Sequence, residues 1–436
     1  MPPTIADHLM ADPRFKDLEQ KIIAKMLQSQ DLNEAFEHYK EFGMLLPNWK
    51  FIFPVNNADK PGILANATFS HGAAVRSLFA ATHVHVWDQD TFLETMKTGS
   101  ARLPLDYSIG LDAQALSYLA PFLKDESLSR IPPDFIEVFN FIAQDNVNVD
   151  PIPYCLENIP RMTDRAHIDE VFESLLAYHR LRTIDATHLN NTGKIRSKLS
   201  DNEIVAAAQV QVASMIDECG NPRFLSPLLF RHSVIYALLL KITSIQINSP
   251  KQGLKRKLTT LLQFMDEDLG VVYQRELLIA NRYFHQGQKF PFFNTIQGNR
   301  NGKKMLKDLR SMAWDMLHVR NLEGAMTSKT HKDVRYFLPA ILTFDKRYID
   351  VLEAYPLKGF AYNELSGRIY QHYPSDTFGE NTSNFEDELY SRFFNGNAIE
   401  ARRARAEGTS DKKRIDNIAG LIENLEKEFL VVTNAI

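Results

Sequence analysis

The feature that most constrains this chain is a strand-to-helix junction in its last third, Ala340-Ile341-Leu342-Thr343-Phe344-Asp345-Lys346. The first five residues are mostly apolar and predict a buried strand, and the helical spacing of Tyr348, Ile349 and Leu352 starts directly after it. Asp345 therefore stands where strand passes into helix. The device occurs twice: Tyr107-Ser108-Ile109-Gly110-Leu111 predicts a strand, Asp112 ends it, and Leu116 and Leu119 continue at helical spacing. Acids at the carboxyl ends of strands are what an open α/β sheet presents to its crevice, so the fold class predicted is α/β.

A third acid lies on a predicted helix. In Met312-Ala313-Trp314-Asp315-Met316-Leu317-His318-Val319-Arg320, Asp315 is a charge between large apolar residues, which is costly to bury unless it is paired, hydrogen-bonded or bound to metal. Glu276, in Gln274-Arg275-Glu276-Leu277-Leu278-Ile279, is a fourth candidate acid on a helix. Carboxylates crowded at one sheet edge repel one another, and a hard divalent cation, Mg²⁺ or Mn²⁺, removes that penalty while supplying Lewis acidity. Such sites process phosphate esters, so the reaction implied is phosphodiester hydrolysis. Two basic stretches fit a phosphate backbone: Lys255, Arg256 and Lys257, and then Arg300, Lys303, Lys304, Lys307 and Arg310, which lead into the helix of Asp315. Around the acids, Thr343, Lys346 and His318 are candidates for supporting roles.

Each of these residues has a plainer reading. Asp112 and Asp345 are also what caps a following helix. Glu276 reads equally as a surface acid, Lys346 as a solvated neighbour of the cap, and His318 as a packed histidine one turn beyond Asp315. Either basic stretch reads as the solvated side of a helix.

Composition narrows the class without choosing the chemistry. With 436 residues there is enough chain for two or three domains, and a net charge of -4 gives no global attraction to nucleic acid. Two cysteines, Cys155 and Cys219, are too few for a disulfide framework or a cysteine zinc site. Met1 to Asp7 lacks the pattern of a signal peptide, and the apolar run Val234 to Leu240 is short of a bilayer span. The expectation is a cytoplasmic protein without a membrane segment. Walker, dinucleotide-binding, nucleophile-elbow and zinc-protease motifs are all missing from the sequence.

Gly110-Leu111-Asp112-Ala113-Gln114-Ala115-Leu116-Ser117-Tyr118-Leu119 resembles the opening strand and acid of PIN-domain nucleases, and Leu342-Thr343-Phe344-Asp345-Lys346 resembles their closing strand and acid. The resemblance covers residues 104–118 and 269–362. It implies a central parallel sheet with helices on both faces, one or two Mg²⁺ or Mn²⁺ ions, and cleavage of nucleic acid, RNA ahead of DNA, as in toxin-like or defence-related RNases. It makes Asp315 the penultimate acid and Glu276 the acid between the first and the penultimate. The chain departs from a compact member of that family in its long additions.

The division implied is an N-terminal mixed helical extension over 1–100, a PIN-like core over 101–120 and 251–365, a helical insertion over 121–250, and a C-terminal helical extension over 366–436. The amphipathic run Ile415 to Val432 is expected to pack on the body or on a second subunit, and the insertion to recognise substrate, inhibit the site or bind a partner. Two alternatives stand beside the nuclease: a degenerate nucleic-acid-binding relative, and a non-catalytic helical interaction scaffold in which the acids only cap helices.

Overall fold

The computed structural model describes residues 13–55, 63–101, 105–124, 131–298, 300–328, 334–373, 387–408 and 410–434; the amino-terminal residues read for a leader lie outside them. The strands, in chain order, are β1 (Trp49–Val55), β2 (Ile63–Leu64), β3 (Ala67–Thr68), β4 (Ala74–Arg76), β5 (His83–Trp87), β6 (Leu105–Leu111), β7 (Val149–Asp150), β8 (Tyr336–Thr343), β9 (Gly359–Asn363) and β10 (Ile369–His372). They form two sheets, ordered β10-β9-β1-β5-β2 and β3-β4-β8-β6-β7.

The second sheet carries both predicted strand-acid junctions. β6 runs parallel to β8, in register from Leu105 opposite Tyr336 to Leu111 opposite Leu342, and β7 adds a parallel pair on the far side of β6. Side chains alternate across the sheet. Ile109 and Leu111 on β6, beside Ala340 and Leu342 on β8, face a core formed with helices Ala113–Leu123, Phe135–Ile142 and Arg165–Arg182. Ile341 faces the opposite core, with Val319 of helix Gly302–Ala325. Burying each such aliphatic side chain contributes roughly 1.5–3 kcal/mol, and because both faces of β8 are covered its one-residue register is firmly set.

The architecture is thus mixed α/β, a multi-stranded sheet flanked by helices with a large helical stretch between β7 and β8. It differs from a single parallel sheet in two ways. In this sheet the described strands β8, β6 and β7 are parallel, while β4 joins β8 antiparallel, followed by β3. The other sheet is antiparallel throughout, formed by β1, β2 and β5 together with β9 and β10, so residues 1–100 supply strands to both sheets.

The largest core is helical and lies among helices Pro222–Asn248, Leu254–Glu267, Gln274–Gln286, Gly302–Ala325 and Asp411–Asn434. Pro222–Asn248 is long and apolar enough to cross a bilayer by length and composition, yet 67% of its most apolar window is buried inside the protein. Against it lies Asp411–Asn434, whose Ile418, Leu425 and Phe429 enter the same core. Of the two expectations for that amphipathic run, packing on the body is the one observed.

Candidate functional site

The site begins at the register of β6 and β8. Leu111 and Leu342 are the last paired residues, so Asp112 and Thr343 follow them at the carboxyl edge of the sheet, with Asp345 two residues further on. Asp112 accepts the Ala115 N–H at 2.7 Å and caps helix Ala113–Leu123. Asp345 accepts the Arg347 N–H at 2.8 Å and caps helix Lys346–Ala354. Both acids therefore take the capping role that the sequence offers them.

Thr343 stands between the two junctions and lines the cavity with Asp112 and Asp345. Its fully buried Oγ1 accepts the Asp345 N–H at 3.1 Å. A valine here would keep the strand and lose that link.

Helix Gly302–Ala325 contributes the opposite wall. Asp308, Ser311, Asp315 and His318 follow one another at intervals of three or four residues, so they lie on one face, and all four line the cavity. Glu157 comes from helix Ile152–Asn158, which starts just after β7. These elements enclose a cavity of about 210 Å³ lined also by Gln114, Phe292, Thr295, Thr343, Asp345 and Arg347. Asp112, Asp315 and Asp345, drawn from three distant segments, meet there with Glu157 and Asp308.

Burial, and after it the crowding of like charges, sets the protonation of the site. Burial pushes the Asp112 carboxyl up to about 6, with the neighbouring Thr343 hydroxyl and the bond from the Ala115 N–H opposing it and repulsion from Asp345 adding to it. Burial and the charge of Asp112 push Glu157 up to about 7. Asp315 is raised well above the usual carboxylate range by burial and then by Asp345, Glu157 and Asp112, with Arg347 opposing. Burial holds His318 down at about 4, so its imidazole is neutral at neutral pH. Its Nδ1 is buried without a hydrogen-bond partner, as is the Thr295 hydroxyl.

The donor set is oxygen-rich, as a hard divalent cation requires. Among the described residues no group of three or more His, Cys, Asp or Glu side chains is arranged to hold a metal ion as it stands. The acids share a cavity wall without yet sharing a coordination point, and Asp345 is engaged by Arg347 through Nε at 3.1 Å and Nη2 at 2.7 Å.

The other predicted residues fall elsewhere. Glu276 is 1% exposed and does not line the cavity: it accepts Arg320 Nε at 3.0 Å and also pairs with Arg320 Nη2, beside the pair of Arg275 with Glu323. Its carboxylate is neutralised inside an ion-pair network, which corrects its assignment to the acidic cluster. Lys346 is exposed and lies against Gly72 rather than in the cavity.

The basic stretches divide. Lys257 is buried, donating to Gln246 at 2.8 Å and to the Pro250 carbonyl at 3.0 Å, so it cannot meet a phosphate. Lys255 pairs with Glu388, and Arg310 with Glu426 at 2.7 Å. Arg256, Arg300, Lys303, Lys304 and Lys307 are exposed. Lys304 and Lys307 precede Asp308 and Ser311 by one turn and extend the cavity face of their helix outward. Arg300 donates to the carbonyl of Thr295, a lining residue, at 3.3 Å.

Sequence reasoning missed Glu157, Asp308, Ser311 and Arg347. One signal for Glu157 was present: Val147-Asn148-Val149-Asp150 followed by Pro151 is a third strand-acid-helix junction, hidden among prolines. Compared with family models, curated proteins and solved structures, the chain matches none of them.

Proposed function

We propose that this chain is a metal-dependent nuclease that hydrolyses phosphodiester bonds in nucleic acid, RNA ahead of DNA. The observation that carries the reading is the convergence of Asp112, Asp315 and Asp345 on one cavity together with Glu157. Four acids whose mutual repulsion and burial raise three of their carboxyl pKa values form a site that gains by receiving positive charge. Glu157 takes the place that the resemblance to PIN-domain nucleases gave Glu276, between the first acid and the penultimate one.

Asp112, Glu157, Asp315 and Asp345 would hold Mg²⁺ or Mn²⁺. When bound, such an ion supplies a water of lowered pKa and Lewis acidity at a phosphoryl oxygen. Thr343 accepts the Asp345 N–H through its hydroxyl and lines the cavity beside Asp112. The neutral His318 is suited to share a proton at the cavity wall, and Lys304, Lys307 and Arg300 to hold flanking phosphates. PIN-like architecture belongs to the same proposal, supported by parallel β8, β6 and β7 presenting their carboxyl ends to the acids.

One observation favours a second reading, a degenerate nucleic-acid-binding protein: the arrangement has no ready three-ligand group among the described residues. Cleavage of labelled RNA and DNA with Mg²⁺ or Mn²⁺ separates the two. The nuclease reading expects wild type to cut RNA, and Asp112→Asn and Asp345→Asn to keep their fold and lose cleavage. Wild type that binds RNA without cutting it supports the degenerate reading, and variants as active as wild type remove the assigned acids.

A further inference from the structure

Among the described residues lining the cavity, Arg347 is the only lysine or arginine, and it faces five carboxylates. Its guanidinium forks onto Asp345, Nε to Oδ1 at 3.1 Å and Nη2 to Oδ2 at 2.7 Å. That fork matches a carboxylate and the paired oxygens of a phosphodiester equally well. The side chain is also 44% exposed, so it has room to turn toward the mouth of the cavity.

The start of helix Lys346–Ala354 is held by the backbone N–H of Arg347 donating to Asp345 Oδ1 at 2.8 Å, a bond that does not need the guanidinium. Asp315 and Asp308 also attract Arg347. Once parted from Asp345 it therefore stays in the field of the cavity instead of escaping to solvent. The wall offers further polar atoms to a bound group: His318 is 4% exposed with Nδ1 unpartnered, and the Thr295 hydroxyl is buried and unpartnered.

We infer that Arg347 is the phosphate-binding residue of this site, masking Asp345 while the cavity is empty and, on releasing that carboxylate to a divalent cation, forking onto the nonbridging oxygens of the scissile phosphodiester. The assignment rests on the nuclease reading. It gives Arg347 opposite effects on the two ligands: competition with the cation and attraction for the nucleic acid.

The test uses the full chain, as wild type, Arg347→Ala and Arg347→Lys, with Mn²⁺ affinity measured by calorimetry and cleavage of a 5′-labelled single-stranded RNA. Arg347→Ala is expected to bind Mn²⁺ about two- to fivefold more tightly, since a half-exposed ion pair has been removed. Its kcat/KM is expected to fall about a hundredfold, as for loss of one donor to a charged transition state, with partial rescue by millimolar guanidinium. Arg347→Lys keeps the charge without the fork and should cleave at an intermediate rate. Weaker Mn²⁺ binding with a lowered melting temperature in Arg347→Ala would make the residue a structural strut and overturn the inference. So would unchanged Mn²⁺ binding and cleavage, which leave the nuclease reading standing. A wild type that neither binds Mn²⁺ nor cuts RNA removes both.

Discussion

Gly110 lies so close beneath Pro153 that a Cβ on Gly110 would stand 2.7 Å from Pro153 Cγ and 2.9 Å from Cδ. Pro153 belongs to the short helix that carries Glu157, so the bare backbone of Gly110 in β6 is what lets that acid approach the sheet edge. A methyl group there forces the helix outward. Gly110→Ala gains a little from reduced chain entropy, about 0.5–1 kcal/mol, and loses more to overpacking, about 1–3 kcal/mol. The expected outcome is a net loss of about 1–2 kcal/mol in urea denaturation with cleavage reduced more than stability alone explains. A variant as stable and as active as wild type would show that this contact does not position Glu157.

Protonation of Glu157 predicts a pH-dependent difference between wild type and Glu157→Gln. The folded carboxyl is raised to about 7, so between its unfolded pKa, about 4.3, and 7 the folded state binds the proton more tightly than the unfolded chain. Stability from this group is therefore present at low pH and is lost as pH rises through that window. Glutamine mimics the protonated form throughout. Relative to wild type, Glu157→Gln should gain on the order of 3 kcal/mol at most between pH 4 and pH 8. His318, which is destabilising in the opposite direction as pH falls, is common to both proteins and cancels in the difference. A stability difference flat with pH would mean that Glu157 is neither buried nor crowded by Asp112 in solution. Mn²⁺ should stabilise wild type more than the variant.

The parts of the site legible in the sequence were those whose chemistry is local. Asp112 and Asp345 each follow a compact apolar run and precede a helical spacing, so their place at a strand end needs no distant information. Asp315 stands out because its apolar neighbours fix its helix face inward. Glu276 has the same local appearance, but its neutralising partner Arg320 lies 44 residues away, a relation the local pattern does not contain. Glu157 was hidden for the opposite reason: β7 is only two residues long, too short for an alternating pattern to register. In the antiparallel sheet, Phe51-Ile52-Phe53 and the alternating Ala81 to Trp87 carry a local strand pattern, whereas the pairing of β1 with β9, from the far end of the chain, is a relation that no local pattern contains.

The division of the basic residues predicts unequal effects on RNA binding. Lys304 and Lys307 are exposed on the outward continuation of the cavity face, whereas Lys257 is buried and bonded internally. In EDTA, the log-log salt dependence of single-stranded RNA affinity should become shallower by about 0.7 for each of Lys304→Gln and Lys307→Gln. Lys257→Gln should leave the slope alone and lower stability. Fluorescence anisotropy across about 50–200 mM salt measures the slopes. Equal slopes for all variants would place the nucleic-acid path away from the start of this helix.

Glu276 supplies the complementary control, because its surroundings make it a fold residue instead of a cavity residue. It holds Arg320, which also bonds Glu323 at 2.8 Å, and Glu323 in turn accepts Arg275 Nε at 2.8 Å. Glu276 is 1% exposed and the side chain of its partner Arg320 22%, so removal of that carboxylate leaves a mostly buried guanidinium with one acid fewer. Glu276→Gln should cost about 3 kcal/mol of stability, the lower range for a broken buried pair because Glu323 remains to share both arginines. Cleavage per folded molecule should be unchanged, since no cavity wall is altered. Asp112→Asn should show the reverse, retained stability and lost cleavage. Chemical denaturation and turnover measured on the same preparations distinguish the two patterns, and a Glu276→Gln protein that is stable but inactive would return Glu276 to the acidic site.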